Sequence, residues 1–298
     1  MKQPINEPKV SIIIPIYNGI EYTKKCIESI RENVKYSNYD IIIVDDGSVD
    51  NSVEIISKCY PDVVIIPGNG NLWWSGAMNL GISYSLKEGT DYILCLNNDN
   101  IIKSDVIRIL VDTIIKKKKI IVASMVYFID HPQIIRYAGG KISKILGMVK
   151  NSHLYEKDNG QFKECFETEW LGGMGVLVPK ELFEEVGYFD NKNFPQYAGD
   201  QDLWLRAIKL HYRIIINPSS KIYVYDEKTG IKINNVGLLN TVKSLFSIKY
   251  HANIITKTKF FLRHFPYSFP LAILSFYMIG IYKSFIFKNN IQNNVHKK

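Results

Sequence analysis

The sequence predicts an α/β fold with a mostly parallel sheet flanked by helices, and three observations support this prediction. Short runs rich in β-branched residues alternate with longer segments in which apolar residues recur at helical spacing. Most of the runs are apolar throughout, which is typical of strands that are buried on both faces. Several of them end in small polar residues: in Asp91–Asn100, for example, the apolar run Ile93–Leu96 is followed at once by Asn97–Asn100.

The predicted elements follow one another in a regular order from residue 10. The predicted strands cover Val10–Ile14, Asp40–Val44, Val63–Ile66, Tyr92–Leu96 and Ile120–Val126. The segments between them carry apolar residues on one helical stripe, of which Met78, Ile82 and Leu86 are an example. Strands that alternate with helices imply right-handed crossovers and a parallel sheet, so that the carboxyl ends of the strands lie along one edge.

The polar residues after the strands have two possible roles. Asn97–Asn100 could close a turn and lead into a helix that begins near Ser104 and Asp105. Alternatively, they could face a ligand crevice together with the polar ends of the preceding strands. These other ends are Pro15–Asn18, Asp45–Ser48 and Gly68–Asn71. The repetition of the pattern at four strands favours the crevice.

The expected crevice is acidic and has no phosphate-binding loop. The chain lacks the G-x-x-x-x-G-K-[ST] motif, and Gly68–Gly70 lacks the third glycine of a dinucleotide fingerprint. Carboxylates alone would repel a ligand that contains phosphate, whereas a divalent cation bridges carboxylate and phosphate oxygens. The sequence therefore predicts a nucleotide-sized cleft that uses a divalent metal.

Beyond residue 126 the alternation becomes less regular. Ile134–Lys150 is predicted to form hairpins or loops. Glu169–Val178 ends in a strand-like run, and its glycines indicate either a bulged strand or a backbone that comes close to a ligand. Pro179–Val186 is predicted to be a helix with proline in its first turn. Asp200 and Asp202 then precede a helical pattern, where each carboxylate could be a simple cap.

Five stretches, taken in order, resemble the motifs of family 2 glycosyltransferases, which have the GT-A fold. The five stretches are Pro15–Asn18, Asp45–Ser48, Asn98–Asp99, Trp170–Gly173 and Gly199–Leu203. The resemblance covers roughly Lys9 to Gly230, and the ordered set is far more specific than the Asp-Asp-Gly-Ser stretch alone. Gly70–Gly76, together with Asn79, resembles the subgroup that builds bacterial surface polysaccharides, including rhamnosyltransferase-like members.

The resemblance implies that one set of residues binds a nucleotide-sugar donor. Tyr17 and Asp46 would contact the base, with Asp46 accepting a hydrogen bond from a ring N–H. Gly70, Asn71 and Asn79 would lie along the nucleotide. The complete implied donor site consists of Pro15, Tyr17, Asn18, Asp46, Gly70, Asn71, Trp74, Asn79, Asn98 and Asp99.

The resemblance also implies a catalytic side and an acceptor side. Asp200 would be the catalytic base, and Asp202 is the second candidate because both residues lie at the start of one helix. Trp170, Gly172 and Gly173 would line the acceptor side. One base and a direct displacement would invert the configuration at the anomeric carbon.

A divalent metal, Mn²⁺ or Mg²⁺, is the implied cofactor. Asn98–Asp99 stands where the family has its metal-binding Asp-x-Asp, and Asp99 is the only charged residue of the pair. Asp226 falls near a position where relatives often have a metal-binding histidine. The predicted metal ligands are therefore Asp99 and Asp226. A further departure from the family pattern is Gly199, which replaces an acid that often precedes the base.

The implied activity is the transfer of a sugar from a UDP- or dTDP-sugar to a hydroxyl of a glycan or a lipid-linked acceptor. Two alternatives share a nucleotide-binding α/β fold. One is a nucleotidyltransferase that makes a nucleotide sugar, although the basic glycine-rich loop usual near the first strand of such enzymes is absent. The other is a non-catalytic nucleotide-binding module, in which Asp45, Asp46 and Asp99 would form a receiver-like pocket.

The sequence divides into a predicted GT-A domain of residues 1–230 and a helical, basic and apolar annex of residues 231–298. Within the domain, residues 9–126 form the predicted donor-binding half and residues 127–230 the acceptor and catalytic half. The formal net charge of the chain is +8, with a large share of the lysines and arginines after Lys243. Such an excess indicates a membrane surface or an anionic partner, and no nucleic-acid motif supports a nucleic acid.

The annex is predicted to dock on the inner face of the cell membrane without crossing it. Leu271–Tyr282 is apolar but shorter than the roughly 20 residues that a spanning helix needs. Basic and apolar residues alternate in Lys257–His264, which suits a helix in the headgroup layer. The alternatives are a helix packed on the catalytic domain and a spanning helix with a snorkelling Lys283. The amino terminus has no apolar signal core, so a cytoplasmic location is expected.

Overall fold

The computed structural model of the chain describes residues 7–143, 149–225 and 245–278. Within these residues, a ten-stranded mixed sheet is accompanied by a small two-stranded sheet. The first part of the chain forms β1 (Val10–Ile16), α1 (Ile20–Asn33), β2 (Tyr39–Asp45), α2 (Ser52–Cys59), β3 (Val64–Pro67), α3 (Trp73–Lys87) and β4 (Tyr92–Cys95).

The remaining elements follow in a less regular order. They are β5 (Asn100–Ile102), α4 (Val106–Ile114), β6 (Ile120–Phe128), β7 (Ile135–Tyr137), β8 (Gly140–Ile142), β9 (Val149–Asn151), β10 (Phe166–Thr168), β11 (Val176–Pro179), α5 (Lys180–Glu185), α6 (Gly199–Lys209), β12 (Arg213–Val224) and α7 (Ile254–His264). A further helix runs over residues 269–278.

The five strands predicted from the sequence are confirmed as β1, β2, β3, β4 and β6, with their ends within two residues of the predicted ones. The predicted hairpin region contains β8 and β9, which pair antiparallel. The predicted helix start at Asp105 is also confirmed, since its side chain accepts a hydrogen bond from the N–H of Arg108 at the start of α4. Hydrophobic periodicity therefore located most of the sheet correctly.

The order of the strands contains one insertion that the alternation of strands and helices did not predict. The sheet runs β3-β2-β1-β4-β11-β6-β12-β10, and β11 lies antiparallel between β4 and β6. The five predicted strands share one direction, but they are not a continuous parallel set. All four residues of β11, Val176–Pro179, are buried, which is what a central strand covered on both faces requires.

The sheet is covered by helices on both faces, and successive residues of β1 supply both cores. Ile13 packs with Met78 and Ile82 of α3 on one face, while Ile12 and Ile14 pack in a second cluster that includes α1 on the other face. This two-sided burial explains why the strands are apolar throughout. It also fixes α1 and α3 at the ends of the strands that precede them.

The loops after the parallel strands meet at one edge of the sheet, as the topology predicted. The N–H of Asp46, after β2, donates to the carbonyl of Ile16 at the end of β1 (2.9 Å). The N–H of Leu96, after β4, donates to the carbonyl of Ile13 in β1 (3.1 Å). Backbone bonds between neighbouring strands thus continue into the loops and give the polar residues there defined positions.

The helix α7 of the annex packs on the catalytic domain. Phe260 and Phe261 form a small core with Phe194 and Ala198, which precede α6. The packed-helix alternative from the sequence therefore describes α7. Within the residues that the structure describes, none of the helices combines the length and apolar character needed to cross a bilayer.

Three of the four basic residues of α7 are turned toward the catalytic domain, and the fourth, Lys259, is exposed. Lys257 is buried, and Arg263 and His264 form ion pairs with Asp202 of α6 instead of facing a headgroup layer. The reason is electrostatic, because a buried carboxylate attracts the nearest cations more strongly than a distant anionic surface does. The apolar run predicted at Leu271–Tyr282 is described only as far as residue 278.

Candidate active site

A cavity of about 680 Å³ opens at the sheet edge where the loops after β1, β2 and β3 meet. Its volume lies within the range usual for small-molecule sites. The cavity is lined by Pro15, Ile16, Tyr17, Asp46, Gly70, Trp73, Trp74, Ala77, Gln196, Tyr197 and Lys249. Of the predicted donor residues, Pro15, Tyr17, Asp46, Gly70 and Trp74 are therefore part of the lining.

The carboxylate of Asp46 connects the end of β2 to the start of α3. Its Oδ1 accepts from the N–H of Leu72 (3.1 Å) and its Oδ2 from the N–H of Trp73 (2.9 Å). Trp73 adopts a left-handed conformation with φ 55° at this point. Since each carboxylate oxygen has more than one lone pair, Asp46 can accept a further hydrogen bond from a ligand in the cavity.

Tyr17 and Asn18 follow β1 but lie in different surroundings. Tyr17 is 62% exposed and lines the cavity, where its ring can stack on a planar base. Asn18 instead fastens the loop after β2. Its N–H donates to Ser48 Oγ (2.6 Å), and its Oδ1 accepts from the N–H of Val49 (2.8 Å). The structure thus gives Asn18 a supporting position next to the donor site and not the predicted position in its lining.

Gly70 and Asn71 also differ in their relation to the cavity. Gly70 lines it in a left-handed conformation, with φ 81°, which disfavours residues that carry a Cβ. Asn71 has an exposed side chain and is not part of the lining. Its backbone N–H donates to Oδ1 of Asn69 (3.0 Å), which tightens the turn that presents Gly70.

Trp74 forms one wall of the cavity and is held from four directions. Its indole N–H donates to Oδ1 of Asn97 (2.9 Å), and its backbone N–H donates to Oε1 of Gln196 (3.2 Å). Its ring meets Phe189 edge-on with 5.1 Å between centroids. A Cβ placed on Gly173 would lie 2.4 Å from Cη2 of the indole, so this approach requires glycine.

Asn79, a predicted donor residue, is not among the residues that line the cavity. Its Nδ2 donates to the carbonyl of Phe189 (2.8 Å), and its Oδ1 accepts from the N–H of the same residue (3.0 Å). Both ends of the amide are therefore engaged with the loop that supports Trp74. The amide clamps a peptide group in this structure, and its contact with the nucleotide stays a prediction.

Of the polar residues after β4, Asn98 and Asn100 bond to neighbouring side chains and backbone, and Asp99 is the predicted metal ligand. Asn100 is buried, and its Oδ1 accepts from the N–H of Asn97 (2.9 Å) while its Nδ2 donates to Oδ1 of Asp99 (3.1 Å). Asn98 donates from Nδ2 to Oγ1 of Thr23 in α1 (3.2 Å). Asn98 thus contacts α1 and is not among the residues that line the cavity.

Asp99 is the predicted metal ligand that the structure describes, since Asp226 lies outside the described residues. Burial raises the pKa of the Asp99 carboxyl, which is the behaviour of a carboxylate with little cationic compensation. Across the described residues, no group of three or more His, Cys, Asp or Glu side chains could hold a metal. The oxygen donors of Asp99 suit Mg²⁺ or Mn²⁺ in type, and they supply part of a ligand set.

The predicted acceptor-side residues precede β11. The carbonyl of Trp170 accepts from the hydroxyl of Tyr137 (3.1 Å), and the N–H of Gly172 donates to that hydroxyl oxygen (2.6 Å). The ring of Trp170 packs edge-on against Tyr137 at 5.1 Å between centroids. The N–H of Gly173 is directed at the carboxylate of Asp200. The structure therefore brings the acceptor-side stretch and the candidate base together.

Asp200 lies in the first turn of α6 with only partial access to solvent. Burial raises its pKa to about 6, although the N–H groups of Gln201 and Gly173 and the charge of Lys257 oppose the shift. The N–H of Gln201 donates to Oδ1 at 2.8 Å. Such a carboxylate is ionised at neutral pH and is more basic than an ordinary aspartate, as proton abstraction requires.

Asp202 lies on the same turn of α6, but its environment shifts its pKa in the opposite direction. It is fully buried and binds Arg206, Arg263 and His264 at 2.8–2.9 Å. Burial alone would raise the pKa of Asp202, but the hydrogen bond of His264 and the charges of the two arginines outweigh it and lower the pKa to about 2. Its oxygens are engaged in joining α6 to α7.

Several lining residues were not predicted from the sequence. Gln196 and Tyr197 stand just before α6 and just ahead of the stretch Gly199–Leu203, so their position at the site was within reach of sequence reasoning. Lys249 belongs to the annex, beyond the predicted end of the catalytic domain. No motif or periodicity marks Lys249, because its place depends on how the annex folds back.

The family model of glycosyl transferase family 2 matches residues 11–184, which is more than half of the chain. The chain belongs to glycosyl transferase family 2. Membership in this family favours a glycosyltransferase over the nucleotidyltransferase and the non-catalytic module. The matched region of this family 2 member ends within α5, so that Asp200 and the annex lie beyond it.

Relatives of this family 2 member are named as glycosyltransferases. An uncharacterized glycosyltransferase of Rickettsia prowazekii is 30% identical over 216 residues, which cover 70% of this chain and 62% of the relative. Glycosyltransferase GlyG of Streptococcus pneumoniae is 27% identical over 226 residues, covering 74% of this chain and 71% of the relative. The chain thus spans less than two thirds of the rickettsial relative.

The fold of the family 2 transferase is similar to that of known GT-A enzymes. The crystal structure of GalNAc-T7 with UDP, GalNAc and Mn²⁺ superposes with a TM-score of 0.60 at 15% identity, covering 76% of this chain and 46% of the other. The predicted GT-A fold is confirmed.

We predict that Asp202→Asn lowers the free energy of unfolding by about 3–5 kcal/mol, because Arg206, Arg263 and His264 then lose the buried carboxylate that binds all three. Urea denaturation at pH 7 measures this. The matched control is Asp62→Asn, which breaks a largely exposed ion pair with Arg31 and should cost less than about 1 kcal/mol. Equal losses in the two variants would contradict the anchoring role of Asp202.

Proposed function

We propose that this glycosyltransferase moves a sugar from a UDP- or dTDP-sugar to a hydroxyl of a glycan or a lipid-linked acceptor, with inversion at the anomeric carbon. We further propose that the reaction belongs to the synthesis of a bacterial surface polysaccharide. The similarity of Gly70–Gly76 and Asn79 to enzymes of that kind supports the second point. The cavity and the carboxylate beside it support the first.

The observation that carries the proposal is the environment of Asp200. Asp200 is the acid in the first turn of α6 whose pKa is raised. Tyr197, which precedes α6 in the chain, lines the cavity. The carboxylate of Asp200 also meets Gly173, which touches the indole of Trp74 in the cavity wall. These contacts support a base at Asp200, which would take the proton of the attacking hydroxyl.

The residues proposed to bind the donor would do so by stacking, by hydrogen bonding and by positive charge. In the proposed complex, Tyr17 stacks on the base and Asp46 accepts from a ring N–H. Among the described residues that line the cavity, Lys249 is the one cationic side chain, and it would face the diphosphate. The acceptor hydroxyl attacks the anomeric carbon while Asp200 takes its proton, and the bond from the sugar to the diphosphate breaks on the opposite side. One displacement inverts the configuration.

Asp99 would hold a divalent metal, with Asp226 as the second proposed ligand. When bound, Mn²⁺ or Mg²⁺ would act as a Lewis acid that stabilises charge on the departing diphosphate. The protein contributes the position of the Asp99 carboxylate, which Asn100 fixes through its amide. Such support from a neighbouring side chain is usual for metal ligands.

We propose in addition that the annex docks on the inner face of the cell membrane through apolar side chains. Its exposed apolar residues are Phe246, Ile248, Ile255, Leu262, Tyr267, Leu271, Leu274 and Met278. This concentration in one short part of the chain is unusual for a surface that meets only water. Because the inward ion pairs occupy Arg263 and His264, apolar burial and not charge would supply most of the attraction. A lipid-linked acceptor gives such docking a purpose.

We expect the reaction to stop when the metal or its ligand is removed. EDTA should abolish turnover of the wild type, and added Mn²⁺ or Mg²⁺ should restore it; Asp99→Ala should be inactive with or without added metal. Donor turnover is measured by release of the nucleoside diphosphate. The control is Asp112→Ala, an exposed acid on α4, which should retain activity. Full wild-type activity in EDTA would refute the metal proposal.

We expect Asp200→Asn to bind the nucleotide normally and to lose transfer by on the order of 10²-fold or more. In the wild type, kcat/KM should rise about tenfold per pH unit below pH 6 and level off above it, because the base must be deprotonated and its pKa is about 6. A screen of nucleotide sugars identifies the donor for both measurements. Normal transfer by Asp200→Asn together with loss in Asp202→Asn would reverse the assignment.

We expect the full-length chain to bind vesicles that contain anionic lipid, and the double variant Leu271→Glu, Leu274→Glu to bind much less. Charged residues in the apolar surface remove the gain from burial. Cosedimentation with vesicles measures the bound fraction. The control is Val53→Glu, which changes an exposed apolar residue of α2. A wild type that stays in the supernatant would refute docking.

A further inference from the structure

Lys257 is a buried cation of the annex that the proposed mechanism does not yet use. It lies on the face of α7 that meets the catalytic domain, together with Phe260, Phe261 and His264. These positions follow the helical spacing of three and four residues, so they form one stripe. The aromatic pair packs against the residues just before α6, which brings Lys257 to the start of that helix.

The basic residues of α7 act on two acids of α6, by direct ion pairs at Asp202 and by charge at Asp200. At the carboxyl end of α7, Arg263 and His264 bind Asp202. About two turns earlier on the same helix, Lys257 interacts electrostatically with Asp200. Each of the two acids therefore has its own basic partner on α7, although only Asp202 makes direct ion pairs.

The ammonium of Lys257 has no hydrogen bond or ion pair with any residue that the structure describes. Its surroundings are aromatic: the nitrogen lies 5.1 Å from the ring centre of Phe276 and 5.8 Å from that of Phe260. Cation–π contacts compensate only part of the loss of hydration. Burial lowers the pKa of Lys257 to about 8, and the attraction of Asp200 is what opposes this lowering.

We propose that Lys257 is a positioning residue for Asp200, so that the annex completes the active site of the GT-A domain. Its ammonium stabilises the ionised form of the base within a site of low polarity. The contacts of this ammonium with the rings of Phe260 and Phe276 hold the charge beside the start of α6. This inference rests on the proposed role of Asp200 in sugar transfer.

Few other titratable groups face this pair among the described residues. Tyr137 of β7 faces Asp200, and burial raises its pKa well above the ordinary value, so that it stays neutral through the range of interest. His251 faces Lys257, and partial burial together with the lysine charge lowers its pKa. Among these groups, Lys257 is the cation whose charge favours the ionised form of Asp200.

The pairing has two linked consequences that can be measured. Loss of the positive charge at Lys257 must raise the pKa of Asp200, so that less of the base is ionised at neutral pH. Reciprocally, loss of the negative charge at Asp200 must lower the pKa of Lys257, because the coupling between two sites is the same in both directions. A lysine that only fills space would produce neither change.

The first experiment follows Asp200 by NMR in the full-length chain labelled with ¹³C at the aspartate carboxyl groups. The Asp200 signal is the one that Asp200→Asn lacks. In Lys257→Met its titration midpoint should rise by about one pH unit. In Lys257→Arg, which keeps the charge, the midpoint should stay near the wild-type value. The control is Lys259→Met, an exposed lysine on the same helix, which should leave the midpoint unchanged.

The second experiment leaves Lys257 in place, so that it remains decisive if Lys257→Met fails to fold. With ¹³C at the lysine ε carbons, the Lys257 signal should titrate near pH 8 in the wild type and lower in Asp200→Asn. Unchanged midpoints for Lys257 in this variant and for Asp200 in Lys257→Met would overturn the proposal.

The third experiment connects the pairing to the reaction. The acid limb of the pH profile of kcat/KM should move upward in Lys257→Met by the same amount as the Asp200 midpoint, and it should not move in Lys259→Met. A lower rate with an unmoved limb would overturn the positioning role. Coupled titrations in a wild type that transfers no sugar from any donor would instead refute the proposed function, since neither NMR readout depends on turnover.

Discussion

The cleft depends on the position of one indole, that of Trp74. Trp74 joins three segments that are distant in the sequence: its indole contacts Asn97 after β4 and Gly173 before β11, and its backbone N–H donates to Gln196 before α6. The cavity and the predicted acceptor-side stretch therefore meet at the same side chain. This constraint also explains a requirement for glycine that has nothing to do with backbone torsion, because residue 173 must leave room for the ring.

Two acids of one helical turn show how far environment outweighs residue type. Asp200 and Asp202 have the same chemistry and stand two positions apart in α6, yet the pKa of one is raised to about 6 and that of the other lowered to about 2. Direct ion pairs account for the low value, and burial near a single more distant ammonium accounts for the high one. The first acid can exchange a proton near neutral pH, while the second holds two helices together.

The sequence predicted the strands well because a sheet buried on both faces needs apolar runs, as in Ile41–Val44. The same property concealed the place of β11, since a run that is apolar throughout carries no sign of its direction or neighbours. The polar residues that follow the strands were recognisable from the sequence. The role of Asn79 in α3 was not, because an amide clamps a loop as readily as it binds a ligand. Lys249 and Lys257 could not be predicted, because their contacts depend on long-range folding of the annex.

The insertion of β11 between β4 and β6 has a consequence for synthesis on the ribosome. The strands β1 to β4 emerge first and can pair with one another, but β4 then presents an unpaired, apolar edge. Its partner, Val176–Pro179, emerges only after about eighty further residues have been made, at a rate on the order of 5–20 residues per second. For several seconds the nascent chain thus exposes an edge that other chains could join, which makes it a natural client for ribosome-associated chaperones.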